Sequence, residues 1–424
     1  MEDFAMKKNI EKIFSTKEID TKHIGILDGV RALSILLVAG FHFWQQSWLW
    51  NLNDSTKLKW LGIEDCGTNW LFSTGYIWVD MMILLTGLCL FLPYANIMVE
   101  ERLGGMRQKL PNPGKFYLKR IARIWPSYYF CLAIMAVFFV RVSDYSNVSN
   151  YLRDLLSHLT FTHMFWKDTY LWTKFNGVLW TIGVEMAFYL IFPGLAYLFK
   201  KAPVATYLGM NACSLVYYLW VLKNHSDDLS MYINQFPMFL CVFANGMLAA
   251  LAFVALAKNL RQNKYTGLFF TMLAIGSLYF MRIMIKYNLA TSSNGQKWQI
   301  QNRFGLSLLF VSFIIGAGFS FDWFRAIFSN PVSRFVAKIS FNLYICHQQV
   351  AIRLKAWKIP YWECESGYPQ QDAGVEWQWK YTILCWLVSI IIAIAVTYLV
   401  EIPLHRLIMK LAVKKPKTDI ETGE

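Results

Sequence analysis

Ten stretches of this chain are predominantly apolar and close to the roughly 20 residues that cross a bilayer core as a helix. They fall near 26–49, 71–93, 126–142, 177–199, 203–222, 236–257, 265–284, 304–321, 335–355 and 380–403. Their charged residues cluster in the short connections between them, whereas a soluble helix would carry a charged face along its length. The pattern predicts an all-α polytopic transmembrane bundle of about 10 spans. Runs 126–142 and 304–321 are marginal in length, and a re-entrant course is left open for them. Segment 155–166 is too short to cross and reads as an interfacial stretch with an aromatic belt. Residues 1–25 form a charged leader without an apolar run, so no cleavable signal peptide is expected. One membrane domain, 26–405, follows, and 406–424 is a basic or disordered tail. No appended hydrolase domain is expected after so short a tail.

Composition narrows the class further. Of 424 residues, 56% are hydrophobic and only 16% charged, against roughly 25% charged in soluble domains. Disorder is excluded by the same figures. The formal net charge of +14 would suggest nucleic acid in a soluble protein, but membrane proteins collect Lys and Arg in cytoplasmic loops. The 94–125 connection carries Arg102, Arg107, Lys109, Lys115, Lys119, Arg120 and Arg123. The links 200–202 and 258–264 and the tail are also basic, while loops near 51–70, 143–176, 223–235 and 356–379 are mixed or acidic. Both termini are therefore expected in the cytoplasm of a cell-membrane protein. The eight cysteines show no metal-like spacing. Cys66 and Cys364 lie in loops expected outside, and a disulfide between them is left open.

Ionisable groups within spans mark function by default. At 1.5 Å of rise per residue, His42 lies about 24 Å into span one from the cytosolic end, and Asp80 about 14 Å into span two from outside. Glu185 lies about 12 Å into span four from outside, and His347 about 18 Å into span nine from the cytosol. These four groups share the middle and outer part of the membrane. A second layer, near the inner face, contains Asp28, Arg31, Arg120, Arg123, Glu401 and Arg406. Its arginines have the planar fork of donors that suits phosphate. Blander roles compete: a packing histidine at His42, a helix-tying ion pair at Asp80, and a structural pair of Glu401 with Arg406. His158 and His163, five residues apart, do not share a helix face, so no metal site is expected there.

The order of these features resembles the acyltransferase-3 family of integral membrane proteins, over nearly the whole chain. Leu27-Asp28-Gly29-Val30-Arg31-Ala32 matches the family's opening L-D-G-L/I-R-A, and His42 stands eleven residues after Arg31, as in the family. Lys119-Arg120-Ile121-Ala122-Arg123-Ile124-Trp125-Pro126-Ser127-Tyr128 matches R-R-x-x-R-I-x-P-x-Y. Trp180, Glu185, Phe188-Tyr189-Leu190 and Pro193 follow W-S-L-x-x-E-x-x-F-Y-L-x-x-P, with Thr181 in place of Ser. Ser340, Leu343-Tyr344 and His347 follow I-S-Y-S-L-Y-L-x-H, and Glu401-Ile402-Pro403 matches the closing E-x-P. In the second span Asp80 and Gly87 are kept, while Thr86 replaces Ser and Leu88 replaces Phe.

The resemblance implies an O-acyltransferase that moves an acyl group, acetyl by preference, from cytosolic acyl-CoA to a hydroxyl of an extracytoplasmic carbohydrate or glycolipid. Histidine suits the proton transfer, which makes His42 the expected base, with Asp80 or Glu185 fixing its tautomer. An acyl-His42 intermediate is the alternative course. Arg31, Arg120 and Arg123 are the expected seat of the donor phosphates. Asp28, Trp180, Tyr189, Tyr344, His347 and Glu401 are expected to support the site. No metal or nucleic acid is expected, and self-association is left open. A transporter or flippase of glycan or lipid precursors fits buried charge and a basic inner face as well, and a sensor or scaffold without chemistry is a third reading.

Overall fold

The computed structural model describes residues 15, 21, 24–49, 69–289, 292 and 294–413. Most of the leader, Cys66 and the end of the tail lie outside these residues, and with Cys66 the question of its pairing with Cys364.

Several helices begin at asparagine caps, though the first does not. The first, α1 (Ile26–Ser47), is followed by a 3₁₀ turn, Gly75–Ile77, that runs into α2 (Trp78–Arg102). Asn112 caps α3 (Pro113–Ile134), accepting from the Lys115 N–H at 3.1 Å, and proline fills the first helical position. A wider turn carries α3 on to Phe139. The short α4 (Val148–Leu159) precedes α5 (Trp180–Lys201), α6 (Pro203–Asn224) and α7 (Leu240–Asn259). Asparagine caps recur at α8 (Lys264–Arg282), α9 (Gly295–Phe319) and α10 (Pro331–Ala356). Helix α11 (Gly374–Val396) passes through a wide turn, Thr397–Glu401, into α12 (Ile402–Val413).

Among the described residues nine helical stretches are long and apolar enough to cross a membrane, and no strand is present. The chain is an all-α polytopic bundle. Two marginal runs are longer than their apolar parts: α3 starts at Pro113, so Arg120 and Arg123 stand inside the helix, and α9 starts at Gly295, so Arg303 does too. The ninth expected span forms the 26-residue α10. It is long enough to cross but falls outside the nine, because Arg334, Lys338, Asn342, His347, Gln348, Gln349 and Arg353 dilute its apolar residues.

Packing places that polar helix among neighbours. Helix α10 lies along both α1 and α11, α2 lies along α7, and α8 lies along α9. The α2–α7 contact is close because both helices present glycine. A Cβ on Gly87 would stand 2.6 Å from the Phe243 carbonyl oxygen, and one on Gly246 would overlap the Leu84 carbonyl oxygen. Small residues at such crossings let backbones approach where no hydrophobic drive exists between helices. Gly246→Val is expected to cost about 1–3 kcal/mol in overpacking, read as a lower unfolding temperature in detergent. Gly194→Ala, whose added methyl meets nothing within 4 Å, should hold or gain slightly. Equal losses in the two variants would refute the close-approach account.

Candidate active site

Helices α1 and α10 carry one histidine each to their contact. His42 Nδ1 lies 2.9 Å from His347 Nε2 and 3.1 Å from the Val38 carbonyl oxygen one turn earlier. His347 is fully buried, and its Nδ1 lies 2.7 Å from the Tyr344 and 3.1 Å from the Leu343 carbonyl oxygens. These distances assign the tautomers of the neutral pair. Carbonyl oxygens only accept, so the His347 proton sits on Nδ1 and its Nε2 is an acceptor. The proton between the rings therefore belongs to His42 Nδ1, which shares it with Val38. His42 Nε2 is left with its lone pair.

The expected carboxylates do not hold this position. Asp80 Oδ2 accepts from Arg303 Nε at 2.9 Å, both side chains being 1% exposed. Arg303 also donates to the Ile233 carbonyl at 2.6 Å and lies 4.2 Å from the Phe239 ring centre. Asp80 Oδ1 and Arg303 Nη2 are buried without hydrogen-bond partners. Glu185 lies elsewhere, accepting from the Tyr189 hydroxyl at 3.2 Å and the Thr86 hydroxyl at 3.5 Å. The acceptor expected for the His42 N–H, Asp80 or Glu185, is thus replaced by His347 Nε2.

Three cavities line up through the bundle. The first, about 370 Å³, is lined by Asp28, Arg31, Arg123, Arg334, Lys338, Glu401 and Arg406 among others. Arg31 and Arg123 also line the second, about 100 Å³, together with Arg120, Thr86, Glu185, Tyr189 and Ser340. Val79 and Tyr344 line both the second and a third of about 660 Å³, which contains His42, Asp80 and Trp180. Tyr344 thus marks the waist, where its hydroxyl accepts from Thr181 at 2.8 Å and donates to the Val178 carbonyl at 3.1 Å. Arg120 stands 5.9 Å from the ring centres of Phe116 and Tyr189. Glu401 accepts from Asn342 Nδ2 at 2.6 Å.

Sequence reasoning missed Arg303, Arg334 and Lys338. Arg303 escaped because the apolar window opened one residue after it, whereas the Asn294 cap marks the true start of that helix. The five-residue spacing of His158 and His163 was misleading in another way. Helix α4 ends at Leu159, Phe161 takes a positive φ of 59°, and the two rings stack with centres 4.0 Å apart. Burial, and then the His158 ring, lower His163 to about 3, so it is uncharged at neutral pH. No group of three or more His, Cys, Asp or Glu able to hold a metal occurs among the described residues.

Residues 24–402 match a family described as an acyltransferase domain. The chain belongs to this family. A Staphylococcus aureus (strain COL) protein named "Putative O-acetyltransferase" is 21% identical over 346 residues, covering 78% of this chain and 51% of that protein. A protein of Acidianus two-tailed virus named "Putative acetyltransferase" is 25% identical over 273 residues, covering 62% of this chain and 71% of that one. The chain spans about half the length of the staphylococcal relatives it matches. No solved structure matches it.

The Asp80–Arg303 pair generates a prediction of its own. Removing one member of a buried ion pair leaves the other uncompensated and costs about 3–5 kcal/mol. Asp80→Asn and Arg303→Met should each destabilise the protein to that extent. The double variant should lose clearly less than their sum, read by thermal unfolding in detergent. Additive losses would show that the two side chains do not support each other.

Proposed function

We propose that this acyltransferase-family protein is an O-acyltransferase that moves an acyl group, acetyl in the first instance, from acyl-CoA on the cytosolic side to a hydroxyl of an extracytoplasmic carbohydrate or glycolipid. The observation that carries this reading is the series of cavities with arginines at one end and His42 at the other. The basic loops on the arginine side favour a cytosolic orientation for that end, with both termini on the same side. The names of the relatives favour acetyl as the group and oxygen as its acceptor.

Arg31, Arg120 and Arg123 bind the donor's phosphates through charge-assisted hydrogen bonds. The narrow second cavity holds its extended thiol arm, so that the thioester reaches the waist at Tyr344 and Thr181. Along α1 the rise from Arg31 to His42 is about 16 Å, a span such an arm covers. The acceptor enters the third cavity. His42 Nε2 takes the hydroxyl proton as the oxygen attacks the thioester carbonyl, while His347 holds Nδ1–H and thereby the ring. The new C–O bond forms, the C–S bond breaks, and His42 returns the proton to the departing thiolate.

Purified protein in lipid vesicles with labelled acetyl-CoA tests the reading through thiol release and label on a glycan acceptor. His42→Ala should abolish both while the protein still inserts. Arg123→Ala should raise the apparent KM for acetyl-CoA about tenfold or more, the worth of one charge-assisted contact, with a smaller effect on kcat. His347→Gln, whose amide oxygen can accept from His42 Nδ1, should retain more activity than His347→Ala, with a shifted pH profile for both. Unaltered transfer in His42→Ala would refute the assignment of the base. Movement of an intact glycan across the vesicle without thiol release would favour a transporter. Label held on the protein in the absence of acceptor would replace direct transfer by an acyl-His42 step.

A further inference from the structure

The cavity that contains His42, at about 660 Å³, falls within the roughly 300–1,000 Å³ of small-molecule sites. Its walls combine two kinds of side chain. Phe41, Tyr76, Tyr170 and Trp180 bring aromatic faces, flat surfaces on which the C–H face of a pyranose ring can lie while its edge stays polar. Gln45, Asn234 and Gln348 bring primary amides, each offering both donors and an acceptor to neighbouring hydroxyls.

Positive charge is segregated away from this cavity. Among the described residues neither lysine nor arginine lines it, although Arg31, Arg120, Arg123, Arg334, Lys338 and Arg406 crowd the two cavities on the other side of the waist. The carboxylate in its wall is Asp80. Its counter-ion Arg303 lines a separate cavity, with Tyr207, Asn211 and Ser214. A carboxylate or phosphate brought beside His42 would give up its hydration and meet no lysine or arginine in the described wall, Arg303 behind it being already committed to Asp80. Burying a charge without a partner is costly, and such a mismatch is how a site rejects the wrong substrate.

We infer that the acceptor ring seated in this cavity is uncharged, a neutral or N-acetylated sugar, and that uronate rings and polyol phosphates are rejected there. The inference rests on the acyl-transfer reading above and concerns only which acceptor that site takes. The experiment offers the purified protein labelled acetyl-CoA with maltotriose, N,N′-diacetylchitobiose, trigalacturonate or glycerol phosphate. Transfer to one of the neutral sugars should exceed transfer to either anionic acceptor by about tenfold or more. Gln45→Lys, one turn from His42 on an exposed position of α1, should narrow that ratio at least about threefold by raising transfer to trigalacturonate. Equal or greater transfer to the anionic acceptors overturns the inference and leaves acyl transfer standing. So does an unchanged ratio in Gln45→Lys, or thiol release with neither neutral sugar acylated. Absence of thiol release and of label on every acceptor overturns the acyl-transfer reading itself, and this inference with it.

Discussion

A polar side chain inside a bilayer core must find within the protein the partner that water would have supplied. At about 3 kcal/mol for a charged residue at the centre of a span, each such group either finds one or is selected out. Four polar groups within the described helices follow that constraint through at least one bond each. Asp80 takes Arg303, Glu185 takes Tyr189, Glu401 takes Asn342, and His42 takes His347. Each partnership joins two turns or two helices, so the same bonds that satisfy the groups also fix their register.

Helix α10 shows how far this can be carried. Its residues Arg334 and Lys338 line the first cavity, Ser340 the second, and Gln348 the third, while Tyr344 stands between the second and third. A helix so polar would be expensive facing lipid. Lying along both α1 and α11, it exchanges lipid for protein on two sides, and its apolar Ile339, Leu343 and Ile345 join the main core. The arrangement makes one helix a common wall of these three cavities. The first cavity, the waist and the third cavity then keep a fixed spacing set by its rise rather than by loop conformation.

Much of this was legible in the sequence. Periodicity and length gave the bundle, because twenty apolar residues have few other fates, and the interval from Arg31 to His42 on a single helix anticipated their placement in separate cavities. What failed to show was pairing. Depth along separate spans placed Asp80, Glu185, His42 and His347 in one layer, yet depth says nothing of the azimuth at which each helix presents its side chain. Glu185 turned out to share a cavity with Arg31, Arg120 and Arg123, and Asp80 was engaged by an arginine lying one residue outside the apolar window. The boundaries of α3 and α9 were misplaced for a related reason. Hydropathy finds where a helix is greasy, while the Asn112 and Asn294 caps find where it begins.

The choice of a histidine instead of a carboxylate behind His42 has a chemical consequence. A buried carboxylate orients an imidazole and also stabilises the imidazolium that forms when it takes a proton. It brings a charge into the apolar layer, and Asp80 shows what that entails: a dedicated arginine from another helix. His347 orients His42 through one neutral hydrogen bond and needs only two backbone carbonyls of its own helix in return. The cost appears in the protonated state, because a neutral acceptor does little to stabilise an imidazolium, and the Asp80 charge in the same cavity is already matched by Arg303. A base built this way works best when it does not hold its proton. Passing the proton from the incoming hydroxyl to the departing thiolate within one displacement meets that condition, and an intermediate in which His42 remains charged does not. On the function proposed above, the geometry of the pair favours direct transfer over a long-lived acyl-histidine.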